Sequence, residues 1–264
     1  MTNSIESVSP AEALIKRMSS PTWLPRWRST EGAAEGHDHV GLLEPLTPAS
    51  ERTKSKGFDT RPPPSPSVEE QVDAMQLLRA QLALRWFNTG EHRSIAIVRP
   101  DARDTRLSIA VRLATACAAA GDKTLLIDAN LRTPTICSML GIETSLGMTS
   151  VLAGDVGLRQ AISSTKVTGL SALTSGPSVT RPETLLSKSR LKQVIEEAEK
   201  EYDVVIVDTP GMSAYADALI VADVIGGALV TVRRHQTRAV DLSHAGTELR
   251  SMGVSIIGAV FTDV

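Results

Sequence analysis

The sequence predicts an α/β fold: a doubly wound, mostly parallel sheet with helices on both faces. Two observations predict it. From Ser94 onward, short apolar runs alternate with segments of helical periodicity, the pattern of βαβ units. Three of those runs, LLI at 125–127, VVIV at 204–207 and SIIGAVF at 255–261, are continuously apolar, as in strands covered on both faces. In such a sheet ligands sit beyond the carboxyl ends of the strands.

The elements follow in order. Val72, Met75, Leu78, Leu82, Leu84 and Trp86 recur at roughly helical spacing, with Glu69 and Glu70 near the start, and predict a first helix. Strands are expected at Ser94–Val98, Thr124–Ile127, Leu170–Leu173, Val204–Val207, Ala228–Val232 and Ser255–Phe261. Helices are expected at Arg106–Ala120, Pro182–Lys200, Tyr215–Ala222 and Thr237–Met252. Ahead of all these, nine of the 14 prolines lie between Pro10 and Pro66 among polar runs such as ERTKSKGFDTRPPPSPS. Residues 1–67 therefore read as a mostly disordered segment, and residues 68–264 as the folded domain. Leu14, Ile15, Met18, Trp23, Leu24 and Trp27 stand among Lys16, Arg17, Arg26 and Arg28. That stretch is either a docking element for a partner or anionic lipid, or a solvated tail with stray apolar residues.

Bulk properties exclude several classes. A 264-residue chain with 42% hydrophobic residues has enough apolar surface for a real core. Its net charge of −2 and 3% aromatic content offer no basis for nucleic-acid binding. No apolar run reaches the length of a membrane span, and the opening MTNSIESVSP lacks the basic-then-apolar pattern of a secretory signal. Cys117 and Cys137 fall in helical segments without metal-ligand spacing, as expected for buried thiols in a reduced cytoplasmic protein.

Three strand ends carry the chemistry. The first is Val98 to Ser108, VRPDARDTRLS, which contains no glycine at the place where a phosphate-binding loop should sit. A Walker A loop uses glycines to reach positive φ and wrap backbone N–H groups around phosphates, while a Lys and a Ser or Thr reach phosphate and Mg²⁺. The second is Leu125 to Pro134, where an apolar strand delivers Asp128, Asn130 and Arg132 to one rim. The third is Tyr202 to Gly211, a strand ending in Asp208-Thr209-Pro210. Aspartates at adjacent strand mouths hold Mg²⁺ and orient an attacking oxygen in α/β nucleotide enzymes.

From about Val68 to Val264 the chain resembles the cytoplasmic tyrosine autokinases of bacterial exopolysaccharide and capsule assembly, relatives of the MinD/ParA group of P-loop ATPases. Arg79 matches the family's Arg-rich contact helix, which implies a subunit interface. Asp128 and Arg132 match its second Walker-type motif, Asp-x-Asp-x-Arg. Gly147 to Gly154 resembles Gly-Leu-x-x-Val-Leu-x-Gly, and Arg181 to Leu186 resembles Asn-Pro-x-x-Leu-Leu. Asp208-Thr209-Pro210 matches Walker B, and Asp217-Ala218 the Asp-Ala pair that follows. The fold implied is P-loop NTPase-like.

The departures fall at the centre of the site. The family's Pro-Gly-Glu-Gly-Lys-Ser-Thr aligns with Ala102 to Ser108, so that Arg103 and the β-branched Thr105 replace both glycines. Arg106 stands for the lysine and Leu107 for the magnesium-binding hydroxyl, with Ser108 beside it. Asn130 replaces the second aspartate, Asp73 and Gln76 alter the contact helix, and Thr262 replaces an Asn near the base. Only Tyr202 and Tyr215 occur, and no tyrosine-rich tail follows the last strand.

The resemblance then implies one of three functions. The first is a pseudokinase, with no cofactor, that works by binding an inner-membrane polysaccharide co-polymerase or chain-length regulator, or a related active kinase. It would be cytoplasmic, held peripherally at the inner membrane by that partner, and able to self-associate into a homo-oligomer. The second is an active ATP- and Mg²⁺-dependent tyrosine kinase, with Asp128 and Asp208 catalytic or on Mg²⁺ and with Arg103, Arg106, Ser108 and Arg132 on the nucleotide. The third is a MinD/ParA-like positioning ATPase. Against these stand plainer roles: Asp128 and Asp208 as caps of nearby loops, and Arg103 and Arg106 as solvated arginines. Arg233 and Arg234 face either the nucleotide side or solvent, and His235 and His244 lie at the surface.

Overall fold

Side chains alternate along the central strands, and this alternation builds two cores. Ile95, Ile97, Leu126, Val204, Ile206 and Leu229 join one buried cluster. Ala96, Val98, Leu125, Ile127, Val205, Val207, Ala228 and Val230 join the other. The computed structural model describes residues 68–90, 92–101, 108–234 and 236–262. Residues 1–67, the loop with Arg103 and Arg106, and His235 lie outside the described residues.

Seven strands form one sheet, in the order β3-β4-β2-β5-β1-β6-β7. They are β1 (Ser94–Arg99), β2 (Thr124–Asp128), β3 (Ser163–Ser164), β4 (Leu170–Leu173), β5 (Val204–Gly211), β6 (Gly227–Arg233) and β7 (Ser255–Thr262). All pairings are parallel except that of β3 with β4. Helices α1 (Val68–Arg85), α2 (Ile109–Ala119) and α3 (Ile136–Leu140) cover one face. The other is covered by α4 (Met148–Ala153), α5 (Leu158–Ala161), α6 (Lys188–Glu201), α7 (Asp217–Ile225) and α8 (Ala239–Ser251). Each fully buried Leu, Ile or Val side chain in these layers contributes roughly 1.5–3 kcal/mol. Among the described residues, no helix is long and apolar enough to cross a membrane.

Several expectations are corrected. SIIGAVF is not covered on both faces: β7 is an edge strand with one strand neighbour, and of this run only Val260 is buried. A continuous apolar run reports hydrophobicity and does not distinguish a centre strand from an edge. The helix expected over Pro182–Lys200 is broken. A 3₁₀ turn at Pro182–Thr184 ends in extended backbone at Ser187, the segment that carries Leu186 into the core, before α6 starts. The helix expected from Tyr215 starts at Asp217, leaving Ser213 to Ala216 exposed in a turn. Leu84 is exposed, because the buried face of α1 runs through Met75, Leu78 and Leu82 towards Trp86. Cys117 is buried, and burial pushes its thiol up to about 12, whereas Cys137 is only half-buried, with its Sγ 2.7 Å from the Ile142 carbonyl oxygen.

Trp86 locks α1 to the sheet. Its indole Nε1 donates to the Ser94 carbonyl at 2.8 Å, and its ring stacks on His92 with centroids 3.8 Å apart. A Cβ at Gly227 would lie 2.2 Å from Trp86 Cζ2, so the ring requires glycine at the start of β6. Arg79, assigned by resemblance to a subunit interface, is half-buried and pairs within the chain, its Nε 3.1 Å from Asp122 Oδ2.

Candidate functional site

The sheet brings Asp128 and Asp208 together. They are register partners on β2 and β5 and both are buried, Asp128 as the last residue of its strand and Asp208 three residues before the end of its own. Asp128 Oδ1 accepts the Asn130 backbone N–H at 3.1 Å, and Oδ2 accepts that of Ile136 at 3.3 Å. Burial, reinforced by the charge of Asp208, pushes the Asp128 carboxyl up to about 7 despite those N–H donors.

Other expected site residues also make contacts within the chain. Asn130 staples its own loop: Nδ2 donates to the Thr133 carbonyl at 2.9 Å and Oδ1 accepts the Thr133 N–H at 3.1 Å. Ser108 caps α2, its Oγ accepting the Val111 N–H at 3.3 Å. Arg132 grips the buried Asp217 with Nε 2.9 Å from Oδ2, reaches Glu183 with Nη2 at 3.3 Å, and lies 3.8 Å over the Tyr215 ring. The segments matching Asp-x-Asp-x-Arg, Asn-Pro-x-x-Leu-Leu and Asp-Ala thus meet at one guanidinium.

The rim also holds residues that sequence reasoning missed. Asp101, just before the undescribed loop, is clamped from the end of β6: Arg233 Nη2 lies 3.3 Å from its Oδ1, and the Thr237 hydroxyl donates to Oδ2 at 2.8 Å. Arg233 therefore faces the strand mouths, as one of its two sequence readings had it. Arg99, the last residue of β1, donates from Nη2 to the Thr209 carbonyl at 2.6 Å. These side chains, with Ser108, Asp208, Thr231 and Thr262, line a cavity of about 20 Å³. The one signal for them was position, a charged residue at the ends of β1 and β6. His244 is on the exposed side of α8. Among the described residues no three His, Cys, Asp or Glu side chains gather as a metal site.

A larger cavity, about 330 Å³, is lined by Arg79 of α1, by Phe87, and by His92, Arg93, Asp122 and Asp203 just ahead of the amino ends of β1, β2 and β5. It shares no lining residue with the aspartate rim.

Comparison with known proteins agrees with this architecture. The AAA_31 family, described as AAA domain, matches residues 96–238. Tyrosine-protein kinase YwqD of Bacillus subtilis is 34% identical over 168 residues, 64% of this chain and 71% of YwqD. Tyrosine-protein kinase Etk of Escherichia coli is 30% identical over 213 residues, which are 81% of this chain and only 29% of Etk. The solved kinase domain of Etk superposes with a TM-score of 0.68 at 29% identity, covering 80% of this chain and 81% of that domain. MinD of Pyrococcus horikoshii, solved with Mg-ADP, shares the P-loop NTPase-like fold at 23% identity and a TM-score of 0.57, covering 64% of this chain and 69% of its own. With markers from α1 to α7 in family order on the family's sheet, the chain belongs to the bacterial tyrosine-protein kinases.

Proposed function

We propose that this chain is a kinase-like component of bacterial exopolysaccharide synthesis and export that works by binding and not by turning over ATP. Its partner is an inner-membrane chain-length regulator or an active kinase of the same family, and residues 68–264 form the domain that binds it. The observation that carries this reading is the clamp of Arg233 and Thr237 on Asp101. It ties the start of the phosphate loop to the end of β6 and fills space between the strand ends with protein side chains. Three observations on the described residues support the reading. The cavity left among the described residues at the strand ends is about 20 Å³, room for roughly one water. The Ser108 oxygen accepts the α2 cap bond, and the Asn130 amide bonds its own loop. Phosphoryl transfer depends almost wholly on preorganised positioning and charge, so the replacement of both loop glycines weighs against it.

Titration of the full chain with Mg-ATP tests this. The expected result is no saturable rise in melting temperature and no hydrolysis above buffer. Magnesium-dependent binding with turnover, lost in Asp208→Ala, would overturn it. One observation favours the active-kinase reading: Asp128 and Asp208 keep the adjacent, buried placement that suits a magnesium ion. That reading predicts the opposite outcome in the same titration.

A further inference from the structure

The chain contains two tyrosines, and the fold treats them oppositely. Tyr202 is 6% exposed, packed into the core between α6 and β5 with Lys123 Nζ 4.9 Å above its ring. Tyr215 is 42% exposed. It stands in the run Ser213 to Ala216, four consecutive exposed residues in the irregular connection between β5 and α7. A hydroxyl must enter another enzyme's cleft with its flanking backbone, and this turn presents both without unfolding any element.

We propose that Tyr215 is a phosphoacceptor for an active tyrosine kinase acting in trans. The inference rests on the reading that such a kinase is a partner of this chain. In the kinase's site the Tyr215 phenol oxygen attacks the γ-phosphorus of ATP. The new O–P bond forms as the bond from phosphorus to the β,γ-bridging oxygen breaks, ADP leaves with that electron pair, and the phenol proton passes to the kinase's base.

The surroundings of the ring explain what the modification would do. Arg132 already covers it at 3.8 Å, and the same guanidinium holds Asp217 and Glu183. A phosphate dianion beside that group competes for its donors and crowds both carboxylates. Arg132 comes from the loop after β2, and Asp217 is the first residue of α7, so loosening their pair reaches the rim that holds Asp128 and Asp208.

The full chain should be incubated with the Etk kinase domain and Mg-ATP, with a parallel sample lacking Etk. The expected result is one phosphoryl group per chain, mapped to Tyr215 by peptide mass spectrometry and lost in Tyr215→Phe, which keeps the ring over Arg132. An unmodified Tyr215, or modification at Tyr202 instead, would overturn the assignment. Faster amide exchange across residues 214–220 in the phosphorylated chain supports the effect on Arg132, and unchanged exchange refutes it. Phosphate gained without Etk would overturn the non-catalytic reading while leaving Tyr215 as the acceptor if it maps there.

Discussion

The guanidinium of Arg132 holds the Asp217 carboxylate with Nε–Oδ2 at 2.9 Å and Nη2–Oδ1 at 3.4 Å, joining segments 85 residues apart. Asp217 is nearly inaccessible and Arg132 only partly so. Loss of the arginine strands a buried charge, so Arg132→Ala should cost about 3–5 kcal/mol in denaturant unfolding. Asp217→Ala should cost less, since Arg132 keeps Glu183 and some contact with water. Arg132→Lys should recover only a minor part, because an ammonium cannot fork onto the carboxylate while stacking on Tyr215.

The clamp on Asp101 makes a separate prediction. Arg233 and Asp101 have side chains 11% and 12% exposed, so solvent and salt screen them weakly. A double-mutant cycle of Asp101→Ala and Arg233→Ala, read by urea unfolding, should give a coupling energy of about 1–3 kcal/mol. That coupling should survive high salt. A cycle that closes to zero would mean that the contact does not hold the loop.

Asp128 sets a pH dependence. Its folded carboxyl is pushed up to about 7, whereas an unfolded one releases its proton near pH 4. Between these values the folded chain binds more protons, so its stability falls as pH rises from about 4 to about 7. In Asp128→Asn this part of the slope should vanish. Melting temperatures of both proteins from pH 4.5 to 8 in metal-free buffer check it, and parallel curves would refute it.

Gly227 offers a packing test. Because a Cβ there meets the Trp86 ring at 2.2 Å, Gly227→Ala should destabilise by about 1–3 kcal/mol in urea unfolding. In a Trp86→Leu background the same substitution should be close to silent. Equal costs in both backgrounds would place the penalty in the backbone instead.

Much of this architecture was readable from local pattern. VVIV and LLI are buried central strands, and the carboxylates at their ends, Asp208 and Asp128, became register partners. Elements too short to show a period escaped: the two-residue β3, and the helices α3, α4 and α5 of four to six residues. The break at Leu185 to Ser187 escaped too, because the side chain that must reach the core, Leu186, has no local marker. Partners distant in sequence were invisible. Arg233 and Asp101 stand 132 residues apart, and only the fold reveals that each answers the other. For the same reason the pairing of Arg132 with Asp217 was not foreseen, since each matched its own motif independently.

The alternation that sorts strand side chains into two layers stops where the strands stop. Arg99 and Arg233 are the last residues of β1 and β6, Asp101 and Thr237 lie past those ends, and none of the four belongs to either apolar layer. Architecture and chemistry are therefore written in separate parts of the same chain. The apolar pattern that builds the layers places no demand on which charged side chains stand at the strand ends, and those ends can differ while the sheet stays the same.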